Sequence, residues 1–264
     1  MTLTPGMAWL AGYAAMIVVM AALWFVQRAR RDASLVDVAW TLGLGALAIG
    51  YALVLPGPPA RRALVAGMAC VWSLRLGSHL LRERVLGKPE DPRYQKMRRE
   101  WGEAAQRKFF EWFQIQAFAA ALFSLPFLLA MGTPTAPMRG WDWLALAILA
   151  VSVTGESLAD HQLARFRAVP ADRGRTCRSG LWGWSRHPNY FFEWLHWWSY
   201  VPLAVGAPLG WLAFAFPLLM LHVLLNLSGI PLNEARALET RGDDYREYQR
   251  TVSRFVPLPP RRTS

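Results

Sequence analysis

Ser185-Arg186-His187-Pro188-Asn189-Tyr190-Phe191-Phe192-Glu193 is a short basic and aromatic run that opens directly onto an apolar segment. Proline is favoured at the first position of a helix, where its missing N–H would have no intrahelical partner anyway. The run therefore predicts a helix starting at Pro188, with Asn189 and Glu193 one turn apart on a shared face. A helix N-terminus beside an arginine, a histidine and an amide is also a site at which an anion can bind. Taken alone, the stretch fits equally well a basic juxtamembrane loop that caps a membrane helix.

The surrounding chain decides the fold class. It has 264 residues, of which 54% are hydrophobic and 14 are tryptophan, and its mean hydropathy is positive. Soluble domains are roughly 45–50% apolar. Here the apolar residues fall in seven blocks, at about 7–26, 35–55, 63–81, 114–131, 141–159, 189–205 and 209–227. A bilayer-spanning helix needs about 20 such residues. The expectation is an all-α polytopic membrane protein of about seven transmembrane helices, folded as a single domain over 1–264. The first block lacks preceding basic residues and is too long for a signal-peptide core, so it reads as a spanning helix. Gly206-Ala207-Pro208 allows only a tight turn and predicts that blocks six and seven pair antiparallel.

The net charge of +11 would suit nucleic acid in a soluble protein, but its distribution argues for topology instead. Of the 29 basic residues, Arg61, Arg62 and Arg139 fall on one side of the blocks and Arg75 falls within one; the rest share the other side. The positive-inside rule then puts the N-terminus outside and the C-terminus in the cytoplasm, with basic cytoplasmic loops. No nucleic-acid partner is expected. Cys70 and Cys177 have no metal or redox spacing with a neighbour, and no metal is expected.

Ionisable and amide side chains within the blocks are costly in lipid and mark function. Asp37, Arg75, His79, Glu156, Asp160, Asn189, Glu193, His196, His222 and Asn226 all belong to the cytoplasmic halves of their blocks. That common depth predicts a polar cavity open to the cytoplasm. The connection after block five carries Arg165, Arg167, Arg173, Arg175 and Arg178 without a lysine. Guanidinium forks bind phosphate bidentately, so this loop leans towards phosphate recognition. The segment Glu90-Asp91-Pro92-Arg93-Tyr94 reads as part of a folded interfacial element. The residues from Gly229 onward read as an amphipathic C-terminal tail that folds back over the loops.

Leu181-Trp182-Gly183-Trp184-Ser185-Arg186-His187-Pro188-Asn189-Tyr190, followed by Glu193, resembles the C-terminal signature of the steroid 5α-reductase superfamily. It is most similar to a bacterial branch long described as an uncharacterised domain family. Asp37-Val38-Ala39-Trp40, Trp72-Ser73-Leu74-Arg75-Leu76, Glu90-Asp91-Pro92-Arg93-Tyr94 and Gly242-Asp243-Asp244-Tyr245 carry the same likeness. The Arg-His-Pro core is shared with sterol C14-reductases and isoprenylcysteine carboxyl methyltransferases.

The resemblance implies a multi-pass reductase of a bacterial inner membrane that uses NADPH to reduce an activated C=C bond of a lipid or steroid-like substrate. It implies cofactor contacts at Arg75, Asp160, Arg167, Arg175 and Asn189, and a cofactor-binding C-terminal part at about 141–264; Arg173 of the arginine loop and Arg186 and His187 at the helix start are further candidates from the residues themselves. Asp37, Glu193 and Tyr190 are the candidate catalytic residues, with a buried carboxylic acid hydrogen-bonding the developing enolate. Glu156 stands where the steroid enzymes have Asn, and Trp72 stands in the neighbourhood of their substrate-polarising Tyr. The alternative is an S-adenosylmethionine-dependent methyltransferase acting on an isoprenoid or phospholipid. That ligand carries no phosphate for the arginines to hold. The expected partners are a hydrophobic small-molecule or lipid substrate and membrane lipids.

Overall fold

The computed structural model describes residues 2–134, 138–172 and 174–261. Among these, regular structure is helical apart from an isolated parallel bridge between Ser185 and Ser253. Six helices are long and apolar enough to cross a membrane: Pro5–Arg30, Leu35–Val54, Pro59–Arg84, Pro92–Met131, Gly140–Ala168 and Gly210–Arg241. The protein is a multi-pass, all-α membrane protein. The sixth expected block is helical but short, running as Pro188–Trp198 and then Tyr200–Leu203. It therefore falls below the length at which a single helix crosses the hydrocarbon.

The chain divides into two compact units, residues 1–139 with 203–213, and 140–202 with 214–264. The first is built from α1 (Pro5–Arg30), α2 (Leu35–Val54), α3 (Pro59–Arg84), α4 (Pro92–Trp101), α5 (Ala105–Phe123) and α6 (Leu125–Met131). In lipid, helices associate through close backbone approach and interhelical hydrogen bonds rather than by expelling water. The buried residues of α1 follow that rule: Ala8, Gly12, Met16 and Met20 recur every four residues. The rest of α1 faces outward, with Leu10 and Val18 largely exposed, as suits contact with acyl chains.

Helices α2 and α3 meet closely at Gly45, where an added Cβ would lie 2.5 Å from Ser73 Oγ. That hydroxyl donates to the Thr41 carbonyl at 2.7 Å. Tyr51 and Ser124 hydroxyls join at 2.9 Å, fixing α2 against the end of α5. The fourth crossing begins earlier than its apolar block, because α4 and α5 carry it from residue 92 through a turn at Gly102. Asp91 caps α4, its carboxylate accepting from Arg93 N at 2.9 Å.

The second unit holds α7 (Gly140–Ala168), α8 (Pro188–Trp198), α10 (Ala215–His222), α11 (Ile230–Arg241) and α12 (Asp243–Thr251); the short α9 (Tyr200–Leu203) follows α8. Helix α8 starts at Pro188, as the sequence predicts. It lies antiparallel to α10: Trp194 Nε1 donates to the Pro217 carbonyl at 3.0 Å, and Trp198 packs edge-on against Phe214 further along. Helices α7 and α8 approach most closely at Gly155, where a Cβ would sit 2.4 Å from the Phe192 ring. Beyond α10 the chain forms a π-helix over Val223–Leu227 before entering the tail. Single turns of π-helix are rare and occur often at functional sites.

Candidate functional site

Helix α7 buries Asp142, Ala145, Leu149, Ser152, Glu156, Ala159 and Asp160, a stripe with one acid near its start and two towards its C-terminal end. Burying a carboxylate in such a place is costly without partners. Asp160 meets Asn189 of α8, whose Nδ2 donates to Oδ1 at 3.2 Å. One turn along α8, Glu193 is buried and accepts from Trp197 Nε1 at 3.1 Å. Two helices thus carry acid and amide groups at four-residue spacing, Glu156, Asp160 and Glu193 buried and Asn189 half-buried. The structure brings Asp160 and Asn189 into direct contact.

The start of α8 is held by the tail. Tyr190 stacks on His187 with ring planes 14° apart, and its hydroxyl accepts from Asn233 Nδ2 at 2.9 Å. Gly229 makes this possible. Its φ is +47°, and a Cβ there would meet the Tyr190 ring at 3.1 Å. Arg186 is 9% exposed and points into the tail. Its Nε donates to Glu234 Oε1 at 2.7 Å, and its NH1 donates to the Gln249 and Val252 carbonyls at 3.0 Å each. His187 Nε2 lies 3.3 Å from the same Glu234 oxygen. A carboxylate only accepts, so the hydrogen belongs on Nε2 and the Nδ1 of a neutral ring is an acceptor.

The tail docks by further bonds. Tyr248 OH donates to the Trp182 carbonyl, Ser185 Oγ donates to the Phe255 carbonyl, and Thr176 N donates to Asp244 Oδ2. Burial pushes the Tyr245 and Tyr248 phenols above their ordinary range, so both stay protonated donors. Burial pushes Asp244 upward, but the Thr176 bond and the Arg178 guanidinium outweigh it and hold the carboxyl below its usual value.

Burial also pushes His187 below its ordinary value of 6.5, against the pull of Glu234. The sign of the linkage follows. As pH falls through 6.5, the unfolded chain takes up a proton that the folded ring resists, so stability is lost below that point and is unaffected above it. Replacing His187 by Gln is expected to flatten the fall in thermal stability between about pH 6.5 and pH 5. Melting curves of both proteins across that window, read as a difference, check it; parallel curves would remove the role.

The other predicted residues are placed as follows. Arg167 and Arg175 are exposed, and Arg175 lies 3.7 Å from Asp172. Arg173 lies outside the described residues. Arg75 and Asp37 belong to the first unit, Arg75 half-buried on α3. Asp37 accepts from Arg84 NH1 at 2.9 Å, Arg93 NH2 at 2.6 Å and Tyr94 OH at 2.6 Å. It ties α2 to the end of α3 and the start of α4. Asp91 joins the cluster through Arg93, whose bond and charge outweigh burial and hold the Asp91 carboxyl below its ordinary range. Glu234, Asn233 and Gln249 were not singled out by the sequence, although Asn233 and Glu234 lie in the tail stretch it marked as amphipathic.

The family profile described as "Protein of unknown function (DUF1295)" matches residues 23–252. The chain belongs to this family. DUF1295 is a steroid 5α-reductase-like family. The "Uncharacterized protein C594.04c" of Schizosaccharomyces pombe is 27% identical over 271 residues, covering 89% of this chain and 75% of that protein. The Delta(14)-sterol reductase of Ascobolus immersus is 31% identical over 129 residues, or 42% of this chain and 29% of the reductase. No solved structure matches this DUF1295 protein.

Proposed function

We propose that this DUF1295 protein is a membrane-embedded reductase that uses NADPH to reduce an activated C=C bond of a lipid or steroid-like substrate. The contact between the buried Asp160 and the half-buried Asn189, at the arginine-rich ends of two apolar helices, is the observation that carries the reading. Membership of a steroid 5α-reductase-like family and the partial match to a sterol reductase support it. By charge distribution, that end of the helices faces the cytoplasm, where the nucleotide is found.

The donor set fits the cofactor. Arg167 and Arg175 are exposed guanidiniums of the second unit, suited to a polyphosphate. Asp160 offers a carboxylate to ribose hydroxyls, and Asn189 offers an amide that both donates and accepts. When bound, the dihydronicotinamide supplies hydride, and the protein's part is orientation and electrostatics. His187 and Tyr190, stacked and fixed by Asn233 and Glu234, hold the first turn of α8 in place. Glu193, buried and bonded to Trp197, is the acid that hydrogen-bonds the substrate carbonyl oxygen. Asp37, already accepting from two guanidiniums and a phenol, anchors the first unit instead.

Fluorescence titration of NADPH into purified protein tests this. Saturable binding is expected, weakened about tenfold or more in Asn189→Leu, the loss of a hydrogen bond to a charged or buried group. Saturation by S-adenosylmethionine with no response to NADPH would overturn the reductase reading.

A further inference from the structure

We propose a second anion site, which shares only Arg186 with the cofactor contacts expected from the sequence: the cavity bordered by the end of α12 and the chain after it binds a phosphate ester. The cavity has a volume of about 220 Å³ and is lined by Arg186, Arg250, Arg254 and Arg261, with Leu258 and Pro259 forming apolar wall. Among the described residues, no carboxylate lines it. Backbone bonds hold its rim in shape: Arg186 N to Ser253 O at 2.8 Å, Leu258 N to Trp184 O at 3.0 Å, and Arg261 N to Thr251 O at 2.8 Å.

The contrast with neighbouring arginines makes the case. Arg178 bonds Asp244 and Glu247, Arg246 bonds Asp243, and Arg186 bonds Glu234, so acids meet cations throughout this tail. Arg186 apart, that matching stops around the cavity, at Arg250, Arg254 and Arg261. Arg254 NH2 donates to the Leu225 carbonyl at 3.2 Å and, among the described residues, has no acidic partner. Among the described residues, neither Arg250 nor Arg261 has an acidic partner. Guanidiniums gathered around one hollow repel each other unless an anion lies between them. Their planar forks suit the oxygens of a phosphate, and the Leu258–Pro259 wall suits the carbon portion of its ester. The phosphate belongs either to a free anion or to the headgroup of an anionic lipid.

The full chain, purified in neutral detergent without phosphate, distinguishes the two sources. In one arm, melting is followed with inorganic phosphate against chloride at equal ionic strength. In the other, the protein is placed in nanodiscs of phosphatidylcholine with or without phosphatidic acid, and retained lipid is counted by native mass spectrometry. Wild type is expected to be stabilised in at least one arm, because a ligand that binds only the folded state raises its stability. The double variant R250Q/R261Q, which alters exposed side chains, is expected to bind about tenfold or more weakly, as is R261Q alone to a smaller extent.

R246Q removes an exposed arginine of the same helix that does not line the cavity, and it should bind as wild type does. Stabilisation by phosphate identifies a free anion, and retention of phosphatidic acid alone identifies a headgroup. No response in either arm, or equal losses in R246Q and the double variant, would overturn the site. NADPH titration of the same samples keeps the reductase reading separately testable.

Discussion

Glu234→Ala is expected to destabilise the protein by about 3–5 kcal/mol, the cost of leaving a buried guanidinium without its counter-ion. Four side chains converge on this carboxylate: Arg186 Nε at 2.7 Å, His187 Nε2 at 3.3 Å, Tyr245 OH at 3.4 Å and Gln249 Nε2 at 3.3 Å. Arg186 is 9% exposed, so water replaces the lost partner only in part. The two carbonyl acceptors of Arg186 remain in the variant and soften the loss without cancelling the charge. Glu234→Gln keeps an acceptor of the same shape and should fall between wild type and Ala. Reversible unfolding in mixed detergent micelles gives the order, and trypsin cleavage in α11 and α12 reports whether the tail has lifted. An Ala variant as stable as wild type, with its tail still protected, would show that the pair is not what holds α8 to the tail.

This pair also shows where the sequence stopped being readable. Arg186 and Glu234 are separated by α8, α9, α10 and a π-helical segment, and no periodicity encodes which cation will find which acid. The apolar blocks were legible because lipid imposes one requirement on every spanning segment, a continuous internally bonded helix. Pro188 marked a helix start, and Gly206-Ala207-Pro208 marked the antiparallel return seen in the Trp194–Pro217 and Trp198–Phe214 contacts.

Boundaries were less legible. The fourth crossing extends back to Pro92, because Arg93, Lys96, Arg98 and Arg99 lower the hydropathy of a stretch that is nonetheless helical. Asp37 was marked as a polar residue at the mouth of α2. Its partners Arg93 and Tyr94 lie in a segment read only as interfacial, so an acceptor hub could not be told from a free acid. Asn189 and Asp160 fared better, since each was placed by its spacing within a helix and the two helices then meet.

Glu193→Gln is expected to lower the rate of NADPH oxidation with an enone-bearing lipid by about 10²–10³-fold, the scale set by loss of one transition-state donor. Glu193 Oε1 accepts from Trp197 Nε1 at 3.1 Å, and a glutamine oxygen accepts the same bond, so α8 keeps its packing. What the amide lacks is an acidic proton. The developing negative charge on the substrate oxygen then meets an N–H of much weaker acidity, while the ground-state carbonyl is held nearly as before. The loss should therefore fall on kcat, with KM and the affinity for NADPH little changed, as expected when an interaction belongs to the transition state. Glu193→Asp keeps the acid but withdraws it by one methylene, and should recover part of the rate. A purely structural Glu193 predicts the opposite pattern: Gln close to wild type, Asp worse than Gln, and stability moving with activity. Single-turnover oxidation of NADPH alongside melting of the same samples separates the two. Full activity in Glu193→Gln would take the proton-donor role away from this residue.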